Sequence, residues 1–159
     1  MKKNLKPLLL IMVVAIAAIY SGCKKDDPAS NTDNLCGKDW QVKSATVFPP
    51  FDDGLGGGPV TDIYTYLFEP CDQDDYTNFS ANGTFLDYDG ANKCDAADPD
   101  TAGGYWSWNS NETILIKAKY GELPDSTTIT KNDGTTIIGT QTFINNGITY
   151  TVTFTLKKK

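Results

Sequence analysis

Residues 148–156 alternate without a break. Ile148, Tyr150, Val152, Phe154 and Leu156 are apolar, and every residue between them is threonine. An extended chain turns successive side chains to opposite faces, so this segment is a ribbon with one oily and one wettable side. Threonine suits the wet side, because its branched Cβ favours extended backbone and its hydroxyl binds water. From Leu35 onward no window shows a sustained apolar helical period, and shorter period-2 runs recur instead. Asn82-Gly83, Asp89-Gly90, Asp133-Gly134 and Asn146-Gly147 punctuate them. Such pairs tolerate positive φ and have the chemistry for tight hairpins.

The pattern predicts strands at 40–48, 76–80, 84–88, 104–109, 112–120, 126–130, 135–144 and 148–156. In the first, Trp40, Val42, Ser44 and Thr46 share a face. In the fifth, Ile114, Ile116, Ala118 and Tyr120 face inward against Leu115, Lys117 and Lys119. Residues 49–59 are rich in Pro and Gly and read as a loop, and residues 62–69 fit a helical turn as well as a strand. One-sided strands must close into a barrel or stack as sheets to bury their apolar faces. Hairpins at nearly every step favour an all-β, up-and-down antiparallel barrel of about eight strands, with a β-sandwich as the alternative. Trp106, Trp108, Tyr120, Tyr150 and Phe154 fall on the inward registers of three of these strands. They are candidates to line an apolar pocket or to fill the core.

The charged residues narrow the function. All 14 basic residues are lysine, set against 20 acids, and there is no His or Arg. That removes the commonest general base, the commonest metal ligand and the bidentate phosphate fork. Ser/His/Asp and Cys/His catalysis are excluded, and an acidic chain without Arg is a poor nucleic-acid binder. The expectation is a protein that is not an enzyme and carries no cofactor and no metal. Asp72, Asp74 and Asp75, and the scatter from Asp87 to Asp100, read as turn chemistry and solubility, since neither group fits a calcium-binding loop.

Three lysines precede an unbroken apolar run of 12 residues, 8–19, too short to span a bilayer as a helix. Tyr20-Ser21-Gly22-Cys23 follows and resembles a bacterial lipobox, although Tyr20 stands where Leu is usual. The expected organisation is a lipoprotein signal peptide over 1–22, a lipidated tether over 23–34 and a folded domain over 35–159. Cys23 would carry the lipid (diacylglycerol and palmitate-type acyl chains), and several chains on one residue make a stable membrane anchor. The mature chain would keep 11 Lys against 20 acids, a net charge of −9. Lys24-Lys25-Asp26-Asp27 looks like a surface-export signal of Bacteroidetes-type lipoproteins, placing the protein at the outer membrane and cell surface.

Gly37 and Trp40, Cys71-Asp72-Gln73-Asp74-Asp75, Phe79, Asn82-Gly83-Thr84-Phe85, Asp89-Gly90, Cys94, Gly104-Tyr105-Trp106 and the alternating last strand form an ordered series. The series resembles the lipocalin-like domains of Bacteroidetes lipoproteins. The resemblance implies a small exported barrel and a disulfide between Cys71 and Cys94. The residues alone leave open a pairing of Cys36 with either of the other two. True lipocalins carry Gly-x-Trp on the first strand and an Arg over the Trp. Here the spacing is Gly37-x-x-Trp40 and no Arg exists. The functional expectation is a lipid-anchored protein binding a small apolar or amphipathic ligand without catalysis. The alternative is a surface module that binds glycan or protein through its loops.

Overall fold

The computed structural model describes residues 29–52, 56–97 and 99–159. The signal peptide, Cys23, most of the tether and part of the glycine-rich run 54–58 lie outside these residues. The elements are α1 (Asn31–Leu35), β1 (Asp39–Phe51), β2 (Val60–Asp62), α2 (Tyr64–Leu67), β3 (Tyr76–Phe79), β4 (Thr84–Tyr88), β5 (Thr101–Trp108), β6 (Ile114–Lys119), β7 (Asp125–Asn132), β8 (Thr136–Asn145) and β9 (Ile148–Lys158). All strand pairs are antiparallel. β3 to β9 pair in chain order, β1 pairs with both β3 and β9, and β2 adds to the side of β1. Eight strands therefore close an up-and-down barrel with one extra strand, and the sandwich alternative falls.

Closure rests mainly on the long β1–β9 ladder, which runs from Trp40↔Lys158 to Phe48↔Thr151. The β1–β3 seam is short, holding only Asp39↔Asn78 and Trp40↔Thr77. Farther along, β2, α2 and the segment to residue 75 occupy that side. Three of the four Asx-Gly pairs close hairpins, with Gly83, Gly134 and Gly147 at positive φ. Asn146 (φ 51°) and Gly147 (φ 77°) together match a type I′ turn. Asp89-Gly90 does not close a hairpin. It opens the connection 89–100, which the Cys71–Cys94 disulfide (Cα–Cα 5.2 Å) ties to the segment before β3. Among the described residues, Cys36 is the free thiol. The bond closes a span of 23 residues. Reduction, or Cys71→Ser, is expected to lower stability by about 3 kcal/mol, read as a urea midpoint with and without reductant.

Four expectations are corrected. First, Ser44 and Thr46 do not share the face of Trp40. A bulge between Val42 and Ser44 shifts the register, so Ala45 and Val47 turn inward and Thr46 is exposed. Second, β1 continues through Pro49 and Pro50 to Phe51. Its pairing with β9 stops at Phe48, so the prolines need no ladder N–H there. Third, residues 31–34, expected as the end of the tether, form α1. Ser30 caps it by accepting from Asp33 N–H. Fourth, β6 is turned over. Leu115 is buried and Lys117 and Lys119 line the interior, while Tyr120 is 59% exposed on the outside.

α1 seals one end of the barrel. Leu35 is fully buried, and its carbonyl accepts from Trp40 Nε1 at 2.8 Å. The Glu112 carboxylate accepts from Asn31 N and Thr32 Oγ1, both at 3.0 Å. Asn34 Nδ2 and Asn132 Nδ2 bridge the helix to β7. Above α1 a core of Trp40, Phe79, Phe85, Trp106, Leu115 and Ile137 fills that end of the barrel. A second core on the β1/β9 side joins Ala45, Val47, Tyr150 and Val152 to Ile63 beside α2. The space between these two cores, toward β3–β7, is left open.

Candidate functional site

Two adjoining cavities occupy that space. One, of about 280 Å³, is mainly apolar, with Leu35, Phe79, Leu115, Ile129, Phe154 and Leu156 in its wall. The other, of about 420 Å³, is more polar and includes Asp72, Asp75, Asp87 and Asp89. Val42, Phe68, Thr77, Lys117 and Lys119 line both and mark the junction. At the mouth, in the β6–β7 turn, Leu123 is 90% exposed.

Interior charge sits at the junction. On β4, Phe85 packs in the core and Asp87, two residues on, keeps the same inward register. On β6, Leu115 and Lys117 stand in the same relation. The pleat thus puts opposite charges inside from two strands that flank β5. Lys117 Nζ donates to Asp87 Oδ1 at 2.8 Å and Oδ2 at 3.1 Å, and lies 4.2 Å from the centre of the Phe85 ring. The Thr77 hydroxyl also donates to Asp87 Oδ1, and Lys119 Nζ is 3.8 Å from Oδ2. Burial pulls the Lys117 ammonium below its ordinary value, and Asp87 opposes that shift.

The acids of the polar cavity are engaged in local structure. Asp75 Oδ1 accepts from Gly90 N–H at 2.7 Å, Asp74 Oδ2 from Ala91 N–H at 2.6 Å, and Asp72 Oδ2 from Glu69 N–H at 3.0 Å. The Asp75 and Asp74 bonds clamp the 89–100 connection onto the segment before β3, and the Asp72 bond is internal to that segment. Burial raises the Asp75 pKa; the Gly90 bond opposes this, and the charges of Asp89, Asp72 and Asp74 add to it. A carboxyl raised by folding stabilises only when protonated. That contribution is present below the unfolded value and is lost as pH rises through the folded one. Asp75→Asn is therefore expected to raise Tm by about 1–2 °C at pH 7 and to leave it unchanged near pH 3, by calorimetry at the two pH values.

Of the aromatic candidates, only Phe154 lines the apolar cavity. Trp106 is buried in the closed-end core and donates Nε1–H to Ser80 O at 2.9 Å. Trp108 packs edge-on against it at 6.2 Å. Tyr150 belongs to the second core and stacks on Phe143 at 5.1 Å. Tyr120 lies on the outer face, edge-on to Tyr105 at 4.9 Å. Sequence reasoning missed Thr77, Asp87, Lys117 and Lys119. The signal for the charged pair was an Asp and a Lys, each two residues from a core residue on its own strand. Cys36 is not poised as a nucleophile, because burial and then Asp33 push its thiol pKa up.

Scans of the sequence against models of known protein families and against curated proteins find no match. The function therefore rests on the geometry of this barrel.

Proposed function

We propose that this protein is a lipid-anchored, lipocalin-like carrier that holds a small apolar or amphipathic molecule inside its barrel without catalysis. The observation that carries the reading is the interior itself. One end is sealed by α1 and the aromatic core, and the other keeps an apolar cavity of about 280 Å³ that continues into a polar one. Sites for small molecules are commonly concave, mostly apolar and equipped with a few polar groups. Cys23 would be the lipidated residue and the outer membrane the location. Only six residues separate Cys23 from Ser30, the cap of α1. Six residues reach about 20 Å at full extension. The anchor would thus hold the sealed end at the membrane and turn the mouth toward solvent.

The test is native mass spectrometry of the full chain after gentle extraction. A bound small molecule, released by mild activation, is the expected result. A chain that emerges bare and takes up no apolar molecule from a mixed panel would overturn the carrier role.

A second reading is a surface module that binds glycan or protein through its loops. The observation favouring it is a set of apolar residues exposed toward the open end, including Phe48 at 74% and Ile144 at 73%. It expects binding to be lost when Phe48 and Ile144 are replaced by Ser while the interior stays intact.

A further inference from the structure

Resting on the carrier reading, we infer that the occupant is an amphipathic cation, an apolar body in the apolar cavity whose single ammonium group enters the polar cavity and is received by Asp75. The charge on the walls sets the sign. Among the described residues, Asp72, Asp75, Asp87, Asp89, Glu122 and Asp125 line the two cavities against Lys117 and Lys119. Without the exposed Glu122, Asp125 and Lys119, four carboxylates still face one ammonium. That ammonium is spent, since Lys117 gives two bonds to Asp87. Asp89 has Lys93 at 4.0 Å, and Lys93 makes its closer pair with Asp100. Asp72 and Asp75 have no lysine within 4.0 Å among the described residues.

Asp75 is the better placed of the two. Its Oδ1 accepts from Gly90 N–H at 2.7 Å, and among the described residues its Oδ2 accepts no hydrogen bond. Burial raises its pKa, and the charges of Asp89, Asp72 and Asp74 add to that rise, so a cation beside it would meet uncompensated charge. Phe68, Tyr76 and Tyr88 share the wall of the polar cavity, and the faces of aromatic rings attract cations. Val42, Phe68 and Thr77 line both cavities, so an apolar body in one carries its head group into the other where the two adjoin. The spread of the acids favours an organic ammonium over a bare metal ion. Among the described residues, the ligand atoms that converge to metal-binding distance are those of Glu69, Cys71 and Cys94, and the two cysteines are spent in the disulfide.

The experiment titrates the purified full-length chain, freed of endogenous lipid, with decylamine, decanol and decanoate at neutral pH and physiological salt, which screens attraction to the outer surface. Decylamine is expected to bind one per chain and about tenfold tighter than decanol, with decanoate weakest, as one charge-assisted hydrogen bond would give. Asp75→Asn removes the charge, keeps the shape and is expected to fold at least as stably. It should weaken decylamine about tenfold without the same loss for decanol. Asp125→Asn, at the exposed rim, should change the decylamine affinity by about twofold or less. Decylamine no tighter than decanol, decanoate tightest of the three, or a decylamine affinity that Asp75→Asn weakens no more than Asp125→Asn does would overturn the inference and leave the carrier reading standing. If none of the three binds, both fall.

Discussion

Alanine at Gly104 is expected to cost about 3 kcal/mol or to prevent folding outright, the largest effect of any single added methyl group in this barrel. A Cβ there would lie 2.1 Å from the carbonyl oxygen of Ala118 and 2.6 Å from two ring carbons of Phe85. The carbonyl belongs to β6, which is paired with β5 through Gly104↔Lys119 and Tyr105↔Ala118, so it cannot retreat without breaking the ladder. The Phe85 ring is 1% exposed and held in the core. The neighbour Gly103 is the control. Its Cβ would meet the ends of Leu86 and Tyr120 at 3.1 Å, on the outer face where both side chains can swing away. Gly103→Ala should change stability by about 0.5 kcal/mol or less. Urea midpoints of the two variants measure the contrast. Equal tolerance at both positions would mean that β5 does not run where the structure puts it.

Trp40→Ala is expected to cost about 3–5 kcal/mol, a large fraction of the stability of a domain this size. Trp40 is 1% exposed at the foot of β1. Its ring fills the closed-end core, and its Nε1–H makes the 2.8 Å bond to Leu35 O that fastens α1 across the barrel. Truncation therefore leaves a cavity and a buried carbonyl without its donor. Trp40→Phe separates the two contributions, since it loses the bond and part of the volume, and should cost about 1–2 kcal/mol. Amide exchange in α1 should speed up in both variants, because the helix is only five residues long and depends on docking. Unchanged exchange in Asn31–Leu35 would show that the helix is held by Glu112 and Asn132 alone.

The fold was legible in the sequence wherever one residue pattern had one physical meaning. The alternation of β9 specifies a strand and its buried face together, and Tyr150, Val152, Phe154 and Leu156 all turn inward. Asn82-Gly83 and Asn146-Gly147 specify hairpins, because few other dipeptides take those φ values cheaply. The closing β1–β9 ladder follows once eight one-sided strands must leave no bare edge.

The candidate site was less legible, because its chemistry runs against the rule that apolar residues point inward. On β6 the apolar Ile114, Ile116 and Ala118 outnumber the apolar residues of the opposite register. What turns the strand over is Leu115 packing in the closed-end core and Asp87, two strands away, offering Lys117 a partner. That pairing is a property of the register among three strands and is invisible within any one of them. The bulge after Val42 is a similar case, since one inserted residue reverses the facing of everything beyond it. Asp89-Gly90 has the composition of a hairpin, but from another segment Asp75 captures the Gly90 N–H and Asp74 those of Ala91 and Asn92 just after it. A Cβ on Gly90 would fall 2.1 Å from Asp74 Cγ, so glycine is there for close approach and not for a positive φ.

The most direct test of the account compares the full chain with Ile129→Trp by native mass spectrometry. Ile129 lines the apolar cavity from β7, and an indole in its place would project into that space and narrow it. The prediction is that the native chain carries a small molecule, and that the variant, still rich in β structure by circular dichroism, has lost it. A variant that keeps the same bound mass would place the occupant outside the barrel and contradict the central claim.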